Sequence, residues 1–134
     1  MIKVTGVKNN KTKIKRQALR VAQSLGINEE VTIYFMEHTS PDKWGFAATI
    51  MGSQYVCIFK DCPDEKLADV ISHELIHVWQ TLRGDLKHDY TNSTFYWKGE
   101  RYDDARLSSI DYYSRPWEAE AKQKEKQLAQ VYGT

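Results

Sequence analysis

The chain has 134 residues, of which 41% are hydrophobic and 28% charged, and its formal net charge is +1. That length suits one core, so a single domain over residues 1–134 is expected, and the composition sets it apart from disordered chains. The near-neutral charge gives no global sign of a polyanionic partner, and no apolar run has signal-peptide or membrane-spanning length. The reading is therefore of a cytoplasmic product, with no membrane partner and monomeric by default. Two cysteines, Cys57 and Cys62, are too few for a disulfide framework and are not spaced as in a zinc ribbon.

In chain order, MIKVTGV suits a short strand or an ordered lead-in. From Thr12, Ile14, Ala18, Leu19, Val21, Ala22 and Leu25 recur near helical spacing, and Gly26 suits a C-terminal cap. VTIYFME alternates as a strand, and WGFAATIMGSQYVCIFK reads as a hairpin turning near Gly52-Ser53. A helix follows, with Asp61 or Cys62 at its cap and Pro63, Asp64 and Glu65 in its first turn, running to a stop near Gly84. STFYWKGERYD reads as a second hairpin turning at Lys98-Gly99. The last helix is SRPWEAEAKQKEKQLAQVY, with Ser114 near its cap and Pro116 in its first turn. Helix, three strands, helix, hairpin and helix make an α+β fold.

The segment HELIH, residues 73–77, carries the clearest chemistry. Residues four apart on a helix lie on the same side, so His73 and His77 can present two imidazoles to one ion, at the ~2.0–2.1 Å that zinc prefers. Glu74 is turned ~100° around the axis, within reach of a water on that ion. The metal lowers the pKa of that water towards ~7 and the carboxylate takes its proton. Leu67, Val70, Ile71, Leu75, Val78 and Leu82 form an apolar stripe, with the two histidines beside it and Glu74 in its margin. An unpaired carboxylate there is costly, and a metal-coordinated water gives it a partner. Ile76 and Trp79 make the helix apolar nearly all round, as expected of a central, buried one. The plainer alternative is two core histidines and a salt-bridged glutamate. A purely structural zinc suits the chain less, since such sites are closed by four ligands and rich in cysteine.

An open catalytic zinc takes three protein ligands and leaves a place for water. His88 in GDLKHDY is one candidate for the third; it can equally be a surface histidine. Glu118 and Glu120, at the acidic start of the last helix, are the others. That helix packs through Trp117, Ala121, Leu128 and Tyr132, and the two glutamates flank this stripe about equally, so periodicity does not choose between them. A first-turn carboxylate is also favoured by the helix dipole without any metal.

HELIHVWQ, FYWKGERYD and YYSRPWEAEA together resemble small zinc-peptidase-like proteins encoded by phages and prophages, over roughly the C-terminal half of the chain. The metzincin pattern is excluded, because its glycine and third histidine positions hold Gln80 and Arg83. In thermolysin-like peptidases a glutamate from a later helix completes the site. In several glutamate-type zincins a small residue follows that ligand three places on, where Ala121 stands here. The resemblance thus favours Glu118, with Glu120 as the alternative. SprT-like proteases take a third histidine from a loop comparable to that of His88, a weaker likeness. The resemblance implies a minimal zincin-like domain, with a small antiparallel or mixed sheet, an N-terminal helix, a central HExxH helix and a C-terminal helix. It also implies one zinc ion on His73, His77 and a glutamate, Glu74 as general base, and a phage-encoded product inside a bacterial host. One departure is that Lys122 and Lys124 occupy the places where thermolysin-type sites carry an acid after the ligand glutamate.

The expected activity is zinc-dependent hydrolysis of a peptide or protein substrate, with Glu74 activating water and passing its proton to the leaving nitrogen. Tyr112, Tyr113, His88 and Arg115 are candidate oxyanion donors, and one strand of the GFAATI–YVCIF hairpin is a candidate for aligning an extended peptide. The rival reading is a nucleic-acid-associated or regulatory binding protein on the same scaffold, as in SprT-like proteins. Lys3, Lys8, Lys11, Lys13, Lys15, Arg16 and Arg20, all before the first acid, Glu29, motivate it. A solvated basic helix face is the simpler account of them.

Overall fold

The structure, a computed structural model, describes residues 1–7, 9–38 and 43–132, with side chains as far as residue 128. Lys8 and the Tyr132 side chain lie outside the described residues. The fold is α+β, and the chain divides into two compact units, Met1–Val78 and Trp79–Thr134. Among the described residues no helix is long and apolar enough to cross a membrane.

In the first unit, MIKVTGV contains a true strand, β1 (Ile2–Thr5), which buries Ile2 and Val4 and exposes Lys3 and Thr5, the two-residue period of a half-buried strand. Helix α1 (Lys11–Ser24) buries Ile14, Ala18, Val21 and Ala22 and lies against β1. It closes in a Schellman turn, with the Ile27 N–H donating to the Ala22 carbonyl at 2.9 Å and the Gly26 N–H to the Gln23 carbonyl at 3.1 Å. The exposed side chains of Lys11, Lys13, Lys15, Arg16 and Arg20 give this helix a basic outer face.

Strands β2 (Val31–Met36), β3 (Gly45–Ile50) and β4 (Ser53–Phe59) join β1 in the order β1-β2-β4-β3. The β1–β2 and β2–β4 pairs are parallel and β3–β4 is antiparallel, so the sheet is mixed. Interior β4 buries Val56 to Phe59 in one unbroken run, as a strand covered on both faces does. The hairpin turns on Met51 and Gly52, at φ 50° and 83°, because Ile50 pairs with Ser53. Two positive-φ residues make a primed turn, one position earlier than Gly52-Ser53.

Helix α2 (Asp64–Leu82) carries HELIH. Pro63 stands just before it rather than inside the first turn, and its carbonyl accepts the Lys66 N–H at 3.0 Å. Ile71, Leu75 and Val78 are buried, and so is Ile76, which lies off their stripe; this is a helix covered nearly all round through its middle. Its C-terminus repeats the Schellman pattern, with Gly84 at φ 88° and the Asp85 N–H donating to the Gln80 carbonyl at 3.1 Å. Edge strand β3 approaches α2 at Gly45, where an added Cβ would sit 2.6 Å from the Cys57 carbonyl oxygen and 3.3 Å from Val70 Cγ1.

The second unit begins with the last turn of α2. Strands β5 (Leu86–Asp89), β6 (Thr94–Trp97) and β7 (Glu100–Tyr102) form an antiparallel sheet in that order. The β6–β7 hairpin turns at Lys98 and Gly99, both at positive φ. Strand β5 has only Leu86 as a buried apolar residue, too little alternation to be read from sequence. Helix α3 (Asp104–Ser108) is a further addition, capped by the Asp103 carboxylate, which accepts the Arg106 N–H at 2.9 Å. A 3₁₀ turn (Tyr112–Ser114) leads into α4 (Pro116–Tyr132), whose first residue is Pro116, where a missing N–H costs nothing. The core here is Leu86, Tyr102, Leu107 and Trp117, with Phe95, Trp97 and Ile110 packed on it. Trp117 stacks on Phe95 at 5.1 Å and meets Tyr102 edge-on at the same centroid distance.

Because backbone of β4 and the side chain of Val70 both close on Gly45, a methyl group there has nowhere to go. Gly45→Ala is expected to destabilise the protein by about 1–3 kcal/mol, read as a lower urea midpoint with an unchanged m-value.

Candidate metal centre

One turn of α2 brings the His73 and His77 rings together, edge to face, with Nε2 atoms 3.1 Å apart. Two nitrogens bound at ~2.0–2.1 Å to a tetrahedral zinc are about 3.3 Å apart, so the imidazoles already stand at the spacing of two ligands. The same spacing suits an N–H···N hydrogen bond between the rings, and a pair of histidines alone would carry little weight.

The third group changes that. One ligand atom from each of His73, His77 and Glu118 can be chosen so that all three lie within 4.8 Å of one another. Glu118 is 4% exposed and His77 8%, with His73 half-buried. A carboxylate taken out of water needs a cation or strong donors, and two imidazoles with one carboxylate are a donor set that suits zinc and leaves a fourth position open. Glu74, the residue after His73, is 8% exposed. Burial first, and the Glu74 charge second, push the Cys57 thiol above its ordinary value. Cys57 thus stays protonated at neutral pH, a poor metal ligand. Both cysteines are buried and unpaired with each other.

Glu120 is held differently. Its Oε1 accepts from Gln80 Nε2 at 3.0 Å and from Arg83 Nη2 at 2.7 Å, and Arg83 also reaches Asp85 at 2.6 Å. His88, on β5, packs on two rings, parallel to Phe95 and tilted against Tyr90, each at 4.1 Å. Of the other candidate donors, Tyr112 and Tyr113 are exposed and meet edge to face. The Arg115 guanidinium lies 5.1 Å from the Tyr112 ring and 3.4 Å from the Leu107 carbonyl, and its buried Nε has no hydrogen-bond partner.

Sequence reasoning passed over Gln80. It is fully buried, and its amide nitrogen donates to the Trp117 carbonyl at 3.0 Å as well as to Glu120. The signal was present: an uncharged polar side chain in a helix otherwise apolar nearly all round, which requires hydrogen-bond partners of its own.

The protein is expected to bind one equivalent of zinc. By equilibrium dialysis, Glu118→Gln should weaken binding by more than the ~10–100-fold typical of losing an outer-shell partner, while His88→Ala leaves it within about threefold. No family model, curated protein or solved structure matches the chain.

Proposed function

We propose that the protein is a zinc-dependent metallopeptidase of the minimal zincin type. The observation that carries this reading is the grouping of His73, His77 and Glu118, with Glu74 beside His73 on the same buried helix. His73 and His77 through Nε2, and Glu118 through its carboxylate, would hold the ion. When bound, zinc supplies Lewis acidity, polarising a carbonyl and lowering the pKa of coordinated water towards ~7.

The remaining work falls to the chain. Glu74, largely withdrawn from bulk solvent, takes the proton of the attacking water on its carboxylate and delivers it to the departing amide nitrogen. His73 and His77 are fixed by a helix whose neighbouring residues are core, so little reorganisation is needed when substrate arrives. Strand β3 is the edge of the mixed sheet, and Gly45 sets its first residue against Val70, one turn before His73 and Glu74. An extended peptide added to that edge gains backbone hydrogen bonds and runs beside α2.

Glu74→Gln separates metal binding from chemistry. The variant should retain one zinc yet lose about 10²–10⁴-fold in peptide hydrolysis, followed by mass spectrometry on a peptide library cleaved by the wild type. Undiminished cleavage by this variant, or a purified protein that takes up no zinc, would refute the proposal.

The exposed cations of α1, with no acid in its first turn, support a second reading in which this face contacts nucleic-acid phosphates. In that case duplex DNA binding should weaken with salt, by a log–log slope of about −0.9 per phosphate neutralised, and vanish when Lys11, Lys13, Lys15 and Arg16 are changed to Gln. Absence of binding at low salt would remove this reading and leave the peptidase untouched.

A further inference from the structure

We infer that Gln80 is a positioning residue for the metal site, and that it acts with Glu120 by clamping the first turn of α4 on both sides of Glu118. The inference rests on Glu118 being the third ligand.

A fully buried glutamine in a helix core is expensive unless both amide hydrogens find acceptors, and both do. One goes to the Trp117 carbonyl and the other to Glu120 Oε1, each at 3.0 Å. Trp117 precedes Glu118 and Glu120 follows it by two, so a single side chain fixes the backbone before the ligand and the side chain after it. Gln80 itself lies three residues beyond His77 on the same helix. The same helix in the chain thus carries the two histidines and the amide that holds the turn of Glu118.

Other contacts lock the clamp. Arg83 donates to the same Glu120 oxygen at 2.7 Å, its guanidinium lies 4.2 Å from the Trp79 ring, and its Nε is held by Asp85. Trp117 packs against Phe95, Trp97 and Tyr102, so the carbonyl that Gln80 holds belongs to a core residue. Outer-shell groups of this kind orient a ligand, and their loss commonly lowers metal affinity by ~10–100-fold. Here the task falls to neutral and paired groups on two helices.

The test is a double-mutant cycle read in zinc affinity by chelator competition, together with the visible spectrum of the cobalt-substituted protein. Gln80→Met keeps the volume and removes both donors. It should weaken zinc about tenfold or more, as expected for an outer-shell partner, and shift the cobalt spectrum towards that of Glu118→Ala. In a Glu118→Ala background it should have no further effect. Glu120→Ala, at a half-exposed position that tolerates truncation, should weaken zinc in the same sense and likewise fall silent in the Glu118→Ala background. Should Gln80→Met not fold, this second pair decides the matter. Effects that add in the Glu118→Ala background, or unchanged zinc affinity in a folded Gln80→Met, overturn the inference. A Glu118→Ala protein that binds zinc like the wild type instead overturns the three-ligand reading beneath it.

Discussion

Withdrawing polar and ionisable groups from water along one face of α2 is the constraint on which the rest depends. Glu74, His77 and Gln80 are all buried on a helix whose other central residues, Ile71, Leu75, Ile76 and Val78, are core. Each polar group loses its hydration and must regain it from a partner, and a carboxylate left without one is the costliest case. Apolar burial of the helix thus fixes where these groups stand, and their need for partners dictates what surrounds them.

The local devices serve that requirement. The Gly84 turn closes α2 just beyond Gln80, with Arg83 within the turn. The close approach at Gly45 lets the edge of the mixed sheet meet Val70 of α2, one turn before His73. In the second unit, Pro116 starts α4 and Trp117 seats it in an aromatic core, with the next residue, Glu118, buried. The sequence PWE thus joins a helix start, an anchor and a buried acid in three consecutive residues.

Much of this was legible in the sequence where the signal is local. The 3.6-residue period drew α1, α2 and α4, and paired apolar runs with a glycine at or beside each turn drew both hairpins. Strand β5 escaped because its ladder lies entirely in its partner β6, and α3 because a five-residue helix has no period to display. The hairpin turn slipped by one residue because register is set by which residues pair, and Met51 at positive φ is not a residue that announces a turn. The deeper limit concerned Glu118 and Glu120. They flank the apolar stripe of α4 alike, and what separates them is competition from Arg83 and Gln80, partners far away in sequence. Gln80 was visible as an oddity, but only its two acceptors give it a meaning.

Charge balance takes the reading one step further. A carboxylate withdrawn from water, as those of Glu74 and Glu118 are, is costly while ionised and calls for hydrogen-bond donors or a cation. A divalent cation on His73, His77 and Glu118 would bring the set, with Glu74, to zero net charge. Glu120 is held instead by Gln80 and by Arg83, whose charge it shares with Asp85. The acids of the PWEAEA turn are thereby divided: Glu120 is held by Arg83 and Gln80, and Glu118 is the one grouped with the two histidines.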